Sequence, residues 1–119
     1  MHRNEYKYGG FSEDGWEFVI TNPETPRPWI NFLYNGDYVG IISQTGGGFS
    51  FYQDAFYNRL TRWRWGVLPD NLLKDEPGRY VYVKDEESGE FWTANYVPVR
   101  RKPDLYECRH SPGITRISS

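Results

Sequence analysis

Cys108 and His110 are the residues whose types most directly suggest covalent or metal chemistry. They are two positions apart, so both side chains would point to the same face of a β-strand. A structural zinc ion needs four ligands, and a cysteine nucleophile needs an orienting group and an oxyanion hole in addition to a base. The sequence supplies one further histidine, His2, and no second cysteine. We therefore predict no metal site and no thiol catalysis, and we interpret Cys108 as a small hydrophobic residue in a core.

A second group of residues, between positions 52 and 65, has the side chains that sugar-binding sites use. Aromatic rings stack on the C–H faces of pyranoses, while amide and guanidinium groups bond to hydroxyls. The candidate substrate-binding or interface residues are Tyr52, Asn58, Arg59 and Arg62.

Two other interpretations of this stretch remain open. Interleaved arginine and tryptophan also occur in sites for single-stranded nucleic acid. However, a net charge of −2 provides no positive field for a polyanion, so we do not predict a nucleic-acid partner. In the structural interpretation, Trp63 and Trp65 point into a core while Arg62 and Arg64 point outward, and Arg59 only pairs with a carboxylate such as Asp54.

Three consecutive glycines follow Thr45 and could suggest a phosphate-binding loop. The stretch lacks the Gly-Lys-Ser/Thr ending of such a loop and does not introduce a helical pattern. We predict instead a bend in which the backbone of Gly46 to Gly48 passes close to a neighbouring strand or to a sugar, since glycine has no Cβ.

The acidic residues show no pair arranged for general acid–base catalysis. A glycosidase-type site needs two carboxyl groups at a defined separation. The aspartates fall in predicted turns or loops, where solvated carboxylates are the rule. We therefore predict no catalytic residue within residues 1–119; these aspartates are Asp14, Asp37, Asp54, Asp70 and Asp104.

The elements that would position these residues are short strands. Apolar and polar residues alternate in several runs, and turn sequences such as Asp14-Gly15 and Asn35-Gly36-Asp37 separate them. The fold class predicted is an all-β, antiparallel β-sandwich. The predicted strands cover residues 6–8, 16–21, 29–33, 38–43, 49–52, 60–67, 79–84, 90–93, 105–110 and 114–117, with a helical turn at 54–58 and surface connections at 69–78 and 98–103.

Composition agrees with this architecture. A length of 119 residues allows one domain, and an aromatic content of 18% predicts a core built largely from rings. The 12 glycines and 8 prolines disfavour a helical bundle. One cysteine excludes an intrachain disulfide framework, and neither a signal peptide nor a membrane-length apolar run is visible. We therefore predict a soluble, cytoplasmic chain with no membrane partner.

Four blocks of the sequence resemble the cellobiose and chitobiose phosphorylases, which are inverting glycoside phosphorylases. The second block reads Ile41-Ile42-Ser43-Gln44-Thr45-Gly46-Gly47-Gly48-Phe49-Ser50-Phe51-Tyr52-Gln53-Asp54. The blocks follow one another in the family's order, and the resemblance extends over nearly the whole chain. They are residues 20–31, 41–54, 58–65 and 106–110.

The resemblance implies a function that the residues alone do not. Enzymes of this family split a β-linked disaccharide with inorganic phosphate and release a sugar 1-phosphate, without a metal or organic cofactor. Their general acid is an aspartate on a separate (α/α)6 barrel, and they are typically homodimers. Residues 1–119 would then be the first part of the N-terminal β-sandwich of a longer multidomain enzyme. Its partners would be an oligosaccharide substrate and the remainder of the enzyme or a second subunit.

Two other function classes remain open at this point. The chain could be a stand-alone carbohydrate-binding β-module, or an interaction fragment without a ligand.

Overall fold

The structure is a computed structural model that describes residues 7–61, 63, 81–96, 99 and 104–119. The described residues form nine strands in three antiparallel sheets and no helix, which confirms the all-β class. The strands are β1 (Gly9–Phe11), β2 (Phe18–Ile20), β3 (Ile30–Asn35), β4 (Tyr38–Ser43), β5 (Gly48–Tyr52), β6 (Tyr82–Lys84), β7 (Phe91–Thr93), β8 (Glu107–Ser111) and β9 (Ile114–Ser118).

The largest sheet has four strands in the order β1-β2-β8-β9. Its first hairpin turns at Asp14-Gly15 as predicted, because Gly15 takes a φ of 74° and Asp14 accepts a hydrogen bond from the Trp16 amide (3.1 Å). Residue 6 lies outside the described residues, and the rest of the strand predicted at 6–8 was wrong in position, because residues 7 and 8 form a turn. The register pairs Gly9 with Ile20, so β1 begins at Gly9, and the Tyr8 carbonyl only accepts bonds from the amides of residues 21 and 22.

The second sheet has the order β3-β4-β5, with Gly36 and Asp37 forming the predicted turn between its first two strands. Its register places apolar side chains opposite one another on a single face, because Phe32 pairs with Ile41 and Ile41 pairs with Phe49. We call this surface the apolar face. It comprises Ile30, Phe32, Tyr34, Val39, Ile41, Phe49 and Phe51.

The described part of the hairpin predicted at residues 79–93 is present as β6 and β7, and residues 79 and 80 lie outside the described residues. Asp85 closes its turn by accepting bonds from the Glu87 amide (3.0 Å) and the Ser88 hydroxyl (2.7 Å). The hydroxyl of Ser88, followed by the Glu87 amide, lowers the pKa of the exposed Asp85 carboxyl.

The core lies beneath the four-stranded sheet. Ile20 and Cys108 are fully buried, and Tyr96 and Tyr106 are 8% and 6% exposed. The two tyrosine rings meet edge to face with centroids 5.8 Å apart. Three partly buried residues pack against this core: Phe18, Trp29 and Ile117. Aromatic side chains therefore fill much of the core, as the composition predicts.

The buried Gln44 side chain joins the end of β4 to the connection that precedes β3. Its Oε1 accepts the Trp29 amide (2.9 Å), and its Nε2 donates to Pro23 O (3.0 Å) and Thr25 Oγ1 (2.6 Å). Its main-chain carbonyl accepts the hydroxyl of Tyr106, just before β8. One residue therefore ties together two sheets and the proline-containing connection of residues 22–29.

Several sequence predictions lie outside the described residues. They are the surface connection at 69–78, Asp70, Arg62, Arg64, Trp65, most of the strand at 60–67 and most of the connection at 98–103. Residues 59 and 60, where the predicted strand begins, lie beside β5. Arg59 forms a β-bridge with Phe51, and the Leu60 amide donates to Ser50 O (2.8 Å).

Gly48, in the glycine bend, tests how closely the backbones of β4 and β5 approach each other. A Cβ at Gly48 would overlap the carbonyl oxygen of Ile41, whereas a Cβ at Gly40 on the adjacent strand would make ordinary contacts, 3.7 Å from Leu33 O and 3.9 Å from Leu33 Cβ. We expect Gly48→Ala to lower the free energy of unfolding by about 1–3 kcal/mol or more, because the backbone must move. Gly40→Ala is the control and should change it by less than about 1 kcal/mol. Urea unfolding measures both, and equal effects would show that the close approach is absent.

Candidate functional site

The candidate residues after β5 are held by a tight turn. Gln53 takes a φ of 60°, which is unusual for a residue with a side chain, and its amide donates to Asp37 O (2.7 Å). Asp54 then caps the turn, accepting from the amides of Phe56 (2.8 Å) and Tyr57 (2.9 Å). The Asn58 amide donates to Asp54 O (2.9 Å), which gives the single helical turn predicted at 54–58.

Arg59 leaves this turn on the apolar face. Its Nε donates to Ala55 O (3.2 Å), and its guanidinium lies 4.8 Å from the centroid of the Phe49 ring, within the range of a cation–π interaction. The proposed ion pair with Asp54 is not formed, since the Asp54 carboxylate is occupied by turn amides and no ion pair of Arg59 occurs within the described part of the chain. The alternative in which Arg59 pairs with Asp54 is therefore not what the structure has.

Tyr52 and Asn58 lie beside Arg59 along the chain but do not form one pocket with it. The Tyr52 amide donates to Asn58 O (3.2 Å), so the two residues meet through their backbones. Residues 51 and 59 share a face, and strand alternation therefore turns the Tyr52 side chain to the opposite face. Tyr52 pairs there with Tyr38, and each is 45% exposed. Arg62, the fourth candidate, lies outside the described residues.

Sequence analysis missed two exposed rings in this turn. Phe56 and Tyr57 are 83% and 84% exposed and meet edge to face with centroids 4.9 Å apart. Two adjacent aromatic residues in a short polar turn could have predicted this exposure, because a turn on the surface cannot bury both rings.

The triple-glycine bend is filled by the protein itself. Residues 45–48 are buried, and the Gly46 amide donates to Ser43 O (3.0 Å). A Cβ at Gly46 would lie 2.5 Å from the Asn95 side chain, and Asn95 Nδ2 donates to Gly46 O (3.4 Å). The prediction that the backbone of this bend passes close to a neighbouring part of the chain is therefore confirmed.

Cys108 and His110 share a strand face, as predicted, with the sulfur 3.8 Å from His110 Nε2. Cys108 is fully buried, and burial raises the pKa of its thiol to about 12. A thiol with that pKa carries almost no thiolate at neutral pH, and thiolate is the reactive form. The geometry therefore supports a structural cysteine.

His110 belongs to a chain of hydrogen bonds between the two larger sheets. Its Nε2 lies 2.9 Å from Trp29 O, which can only accept, so Nε2 carries the proton. Its Nδ1 lies 2.9 Å from Thr115 Oγ1, which also accepts from Asn31 Nδ2 (3.1 Å). Both ring nitrogens are satisfied in the neutral form. Burial, opposed by the bond to Trp29 O, lowers the pKa of His110 below its usual 6.5.

The described carboxylates in turns are solvated. Asp14, Asp37, Asp54 and Asp104 are exposed. Hydrogen bonds from the Ser12 hydroxyl and the Trp16 amide lower the pKa of Asp14, which favours its charged form. Within residues 7–61, 63, 81–96, 99 and 104–119, no three His, Cys, Asp or Glu side chains cluster as metal ligands would. The same residues contain no helix long and apolar enough to span a membrane.

Comparison with known proteins finds relatives that match this chain over nearly its whole length. A family model for glycosyl hydrolase 94, supersandwich domain, matches residues 16–119. The chain is 42% identical over 113 residues to an N,N'-diacetylchitobiose phosphorylase of Vibrio furnissii, covering 93% of this chain and 14% of the relative. It is 41% identical over 119 residues to a 3-O-beta-D-glucopyranosyl-beta-D-glucuronide phosphorylase of Paenibacillus borealis, covering 100% of this chain and 14% of that relative.

A relative with a different reaction in its name carries a similar segment. The chain is 33% identical over 115 residues to the cyclic beta-(1,2)-glucan synthase NdvB of Rhizobium meliloti, covering 94% of this chain and 4% of the relative. The chain thus spans only about 14% of the two phosphorylases and less of the synthase.

His110 makes stability depend on pH. Because its pKa is lower in the folded state than the usual 6.5, the unfolded chain takes up the proton first as pH falls. The stabilisation by neutral His110 is complete above pH about 6.5 and is lost progressively as pH falls towards the folded pKa. We expect the urea midpoint to fall more steeply between pH 7 and 5 for the native protein than for His110→Gln. Parallel pH profiles would contradict this assignment.

Cys108 should resist thiol reagents until the protein unfolds. We expect no reaction with a disulfide reagent at pH 7.5 in native buffer and complete reaction in denaturant, because the thiol is buried and its pKa is raised to about 12. Absorbance of the released thiolate measures the rate. Rapid labelling of native protein would mean that Cys108 is accessible and that its structural role is wrong.

Proposed function

We propose, from the premise that this chain belongs to the glycosyl hydrolase 94 family, that it forms the N-terminal β-sandwich part of an inverting β-disaccharide phosphorylase of the chitobiose or cellobiose type. The observation that carries the proposal is the family match over residues 16–119, together with 41–42% identity to two phosphorylases along 93–100% of the chain. The whole enzyme would use inorganic phosphate to cleave a β-linked disaccharide. It would release a sugar 1-phosphate and a free sugar.

In this proposal the catalytic acid and the phosphate-binding residues lie in another part of the enzyme. The exposure of four aspartates in this segment supports that division, because a general acid needs a pKa raised by burial or by a like charge. They are Asp14, Asp37, Asp54 and Asp104. Phosphate is the co-substrate, and the enzyme needs no metal or organic cofactor. The enzyme is a cytoplasmic homodimer, and neither nucleic acid nor a membrane is a partner.

Arg59, Asn58 and Arg62 are proposed to contact the acceptor sugar or a second subunit, whereas the Tyr52 side chain turns to the opposite face of the sheet and lies outside that contact. Arg59 supplies the clearest support, because it is exposed and its Nε is fixed on Ala55 O. The guanidinium carries further N–H groups in a planar arrangement, which suits hydroxyls or carboxylates of a ligand or partner.

Phosphorolysis by the full-length protein tests the proposal. The protein is incubated with inorganic phosphate and a panel containing N,N'-diacetylchitobiose, cellobiose and a β-glucosyl glucuronide. We expect phosphate-dependent release of an α-sugar 1-phosphate from at least one β-linked substrate, because inversion converts a β bond into an α product. Proton NMR of the anomeric signal measures it, and the isolated 1–119 segment should be inactive.

Other outcomes would point elsewhere. Sugar binding by the 1–119 segment, with no phosphorolysis by the full-length protein, would support a carbohydrate-binding module. Cleavage that does not require phosphate, or glucan synthesis from a donor as the Rhizobium relative's name suggests, would replace the proposed reaction.

The Arg59→Ala variant tests whether Arg59 binds a ligand or partner or only stabilises the fold. The side chain is exposed and its contact with Phe49 is a surface cation–π interaction, so we expect a stability loss of only about 0.5–1 kcal/mol. In the full-length enzyme we expect a raised KM for the acceptor in the synthetic direction, or a weaker dimer. Arg59→Lys is the control that keeps the charge but loses the planar donors. An unchanged acceptor KM and an unchanged dimer would leave Arg59 as a surface residue.

A further inference from the structure

We propose that Asn35 is a site of spontaneous deamidation, at which the Asn35-Gly36 linkage becomes an aspartyl or isoaspartyl linkage and the turn that precedes Arg59 is loosened. This modification goes beyond the proposed function and does not depend on which reaction the whole enzyme catalyses. It follows from the residues of the turn between β3 and β4 and from the contact of that turn with Gln53.

Asn35 has the following residue that this reaction requires. The backbone nitrogen of the next residue attacks the carbonyl carbon of the asparagine side chain, and a glycine leaves that approach unhindered because it has no side chain. Of the seven asparagines in the sequence, Asn35 alone precedes a glycine. Asn22 precedes a proline, which has no N–H to lose, and the other five precede larger residues.

The structure leaves this linkage open to the reaction. Asn35 is the last residue of β3 and pairs with Tyr38, so Gly36 lies outside the strand ladder. Asn35 and Gly36 are both exposed. Within the described part of the chain, a Cβ added at Gly36 would have no atom within 4 Å. Because β3 is an edge strand of its sheet, its end is held by pairing on one side and belongs to the part of a fold that opens most easily.

The reaction consumes only water and uses hydroxide as the base. Hydroxide removes the proton of the Gly36 amide, and this nitrogen forms a bond to Asn35 Cγ. The bond between Cγ and the side-chain nitrogen breaks, and that nitrogen takes up a proton from water and leaves as ammonia. Water then opens the five-membered succinimide at either of its two carbonyl carbons. One product is aspartate at position 35, and the other is isoaspartate, in which the backbone continues through Cγ.

Asp37, in the same turn, connects the modification to the candidate site. Its carbonyl accepts the Gln53 amide (2.7 Å), and its carboxylate lies 3.5 Å from Gln53 Nε2. Gln53 takes a φ of 60° and leads into the capped turn that ends before Arg59. Isoaspartate adds a methylene group to the backbone beside this anchor, and either product places a second negative charge near Asp37. We therefore expect the modification to weaken the contact with Gln53.

Incubation of the full-length protein at pH 8.5 and at pH 6 tests the site. The protein is then digested at acid pH, where the reaction is slow, and mass spectrometry with electron-transfer fragmentation distinguishes aspartate from isoaspartate. Asn58 is the internal control, because it is also exposed but precedes an arginine. We expect Asn35 to give two products of equal mass while Asn58 stays intact. Conversion should be at least about tenfold faster at pH 8.5, because the ionised fraction of a weak acid rises tenfold for each pH unit below its pKa.

Two results of this experiment would overturn the proposal. An Asn35 that stays intact in the folded protein at pH 8.5 would show that the fold prevents the reaction. Equal conversion of Asn58 would show that neither the glycine nor the turn directs it.

Hydrogen exchange of the Gln53 amide tests the effect on the candidate site. We expect faster exchange in the incubated protein than in fresh protein. Asn35→Gln should show no such change, because its longer side chain forms the cyclic intermediate far less readily, and Asn35→Ser replaces it if the first variant does not fold. Unchanged exchange in the converted protein, or the same increase in the variant, would overturn the proposal. Neither measurement uses phosphorolysis, so the modification and the proposed function fail or stand separately.

Discussion

The side-chain amide of Gln44 is the interaction on which the arrangement of this segment depends. It lies at the end of β4 and is 4% exposed, so every polar atom it holds must find a partner inside the protein. Oε1 and Nε2 bond to the backbone of Trp29 and Pro23 and to the Thr25 hydroxyl, at 2.6–3.0 Å. The connection of residues 22–29 has prolines and no regular structure, and this amide supplies the partners that a strand ladder would otherwise provide.

Trp29 links the hydrogen bonds of Gln44 to the contact between the two larger sheets. Its carbonyl accepts from His110 Nε2, and its ring packs edge to face on Phe18 with centroids 5.6 Å apart. Gln44 therefore fixes the start of β3, and β3 fixes which of its sides faces β8. The aromatic residues of β3 are left outward as a consequence, so a polar network inside the segment determines an apolar surface on its outside.

Local signals made the hairpins predictable, whereas features set by distant parts of the chain were not. Asp14-Gly15 and Asn35-Gly36-Asp37 specify turns through residues adjacent in sequence. The motifs of residues 20–31, 41–54, 58–65 and 106–110 indicated the family that the comparisons show. Sequence could not show that Asp54 caps its own turn instead of pairing with Arg59, because both arrangements fit the same spacing. Nor could alternation alone show that Asn31 points towards β8 and β9, since that depends on acceptors some 80 residues away.

The stability of Gln44→Leu tests this account most directly. Leucine has a similar size but no polar atoms, so the Trp29 amide and the Pro23 carbonyl would be left buried without their partner. Each such group costs about 1–3 kcal/mol, and the account predicts that the free energy of unfolding in urea falls by at least about 2 kcal/mol. A loss below about 0.5 kcal/mol would fall within the range of an ordinary surface substitution. It would show that the sheets are held together without the Gln44 amide.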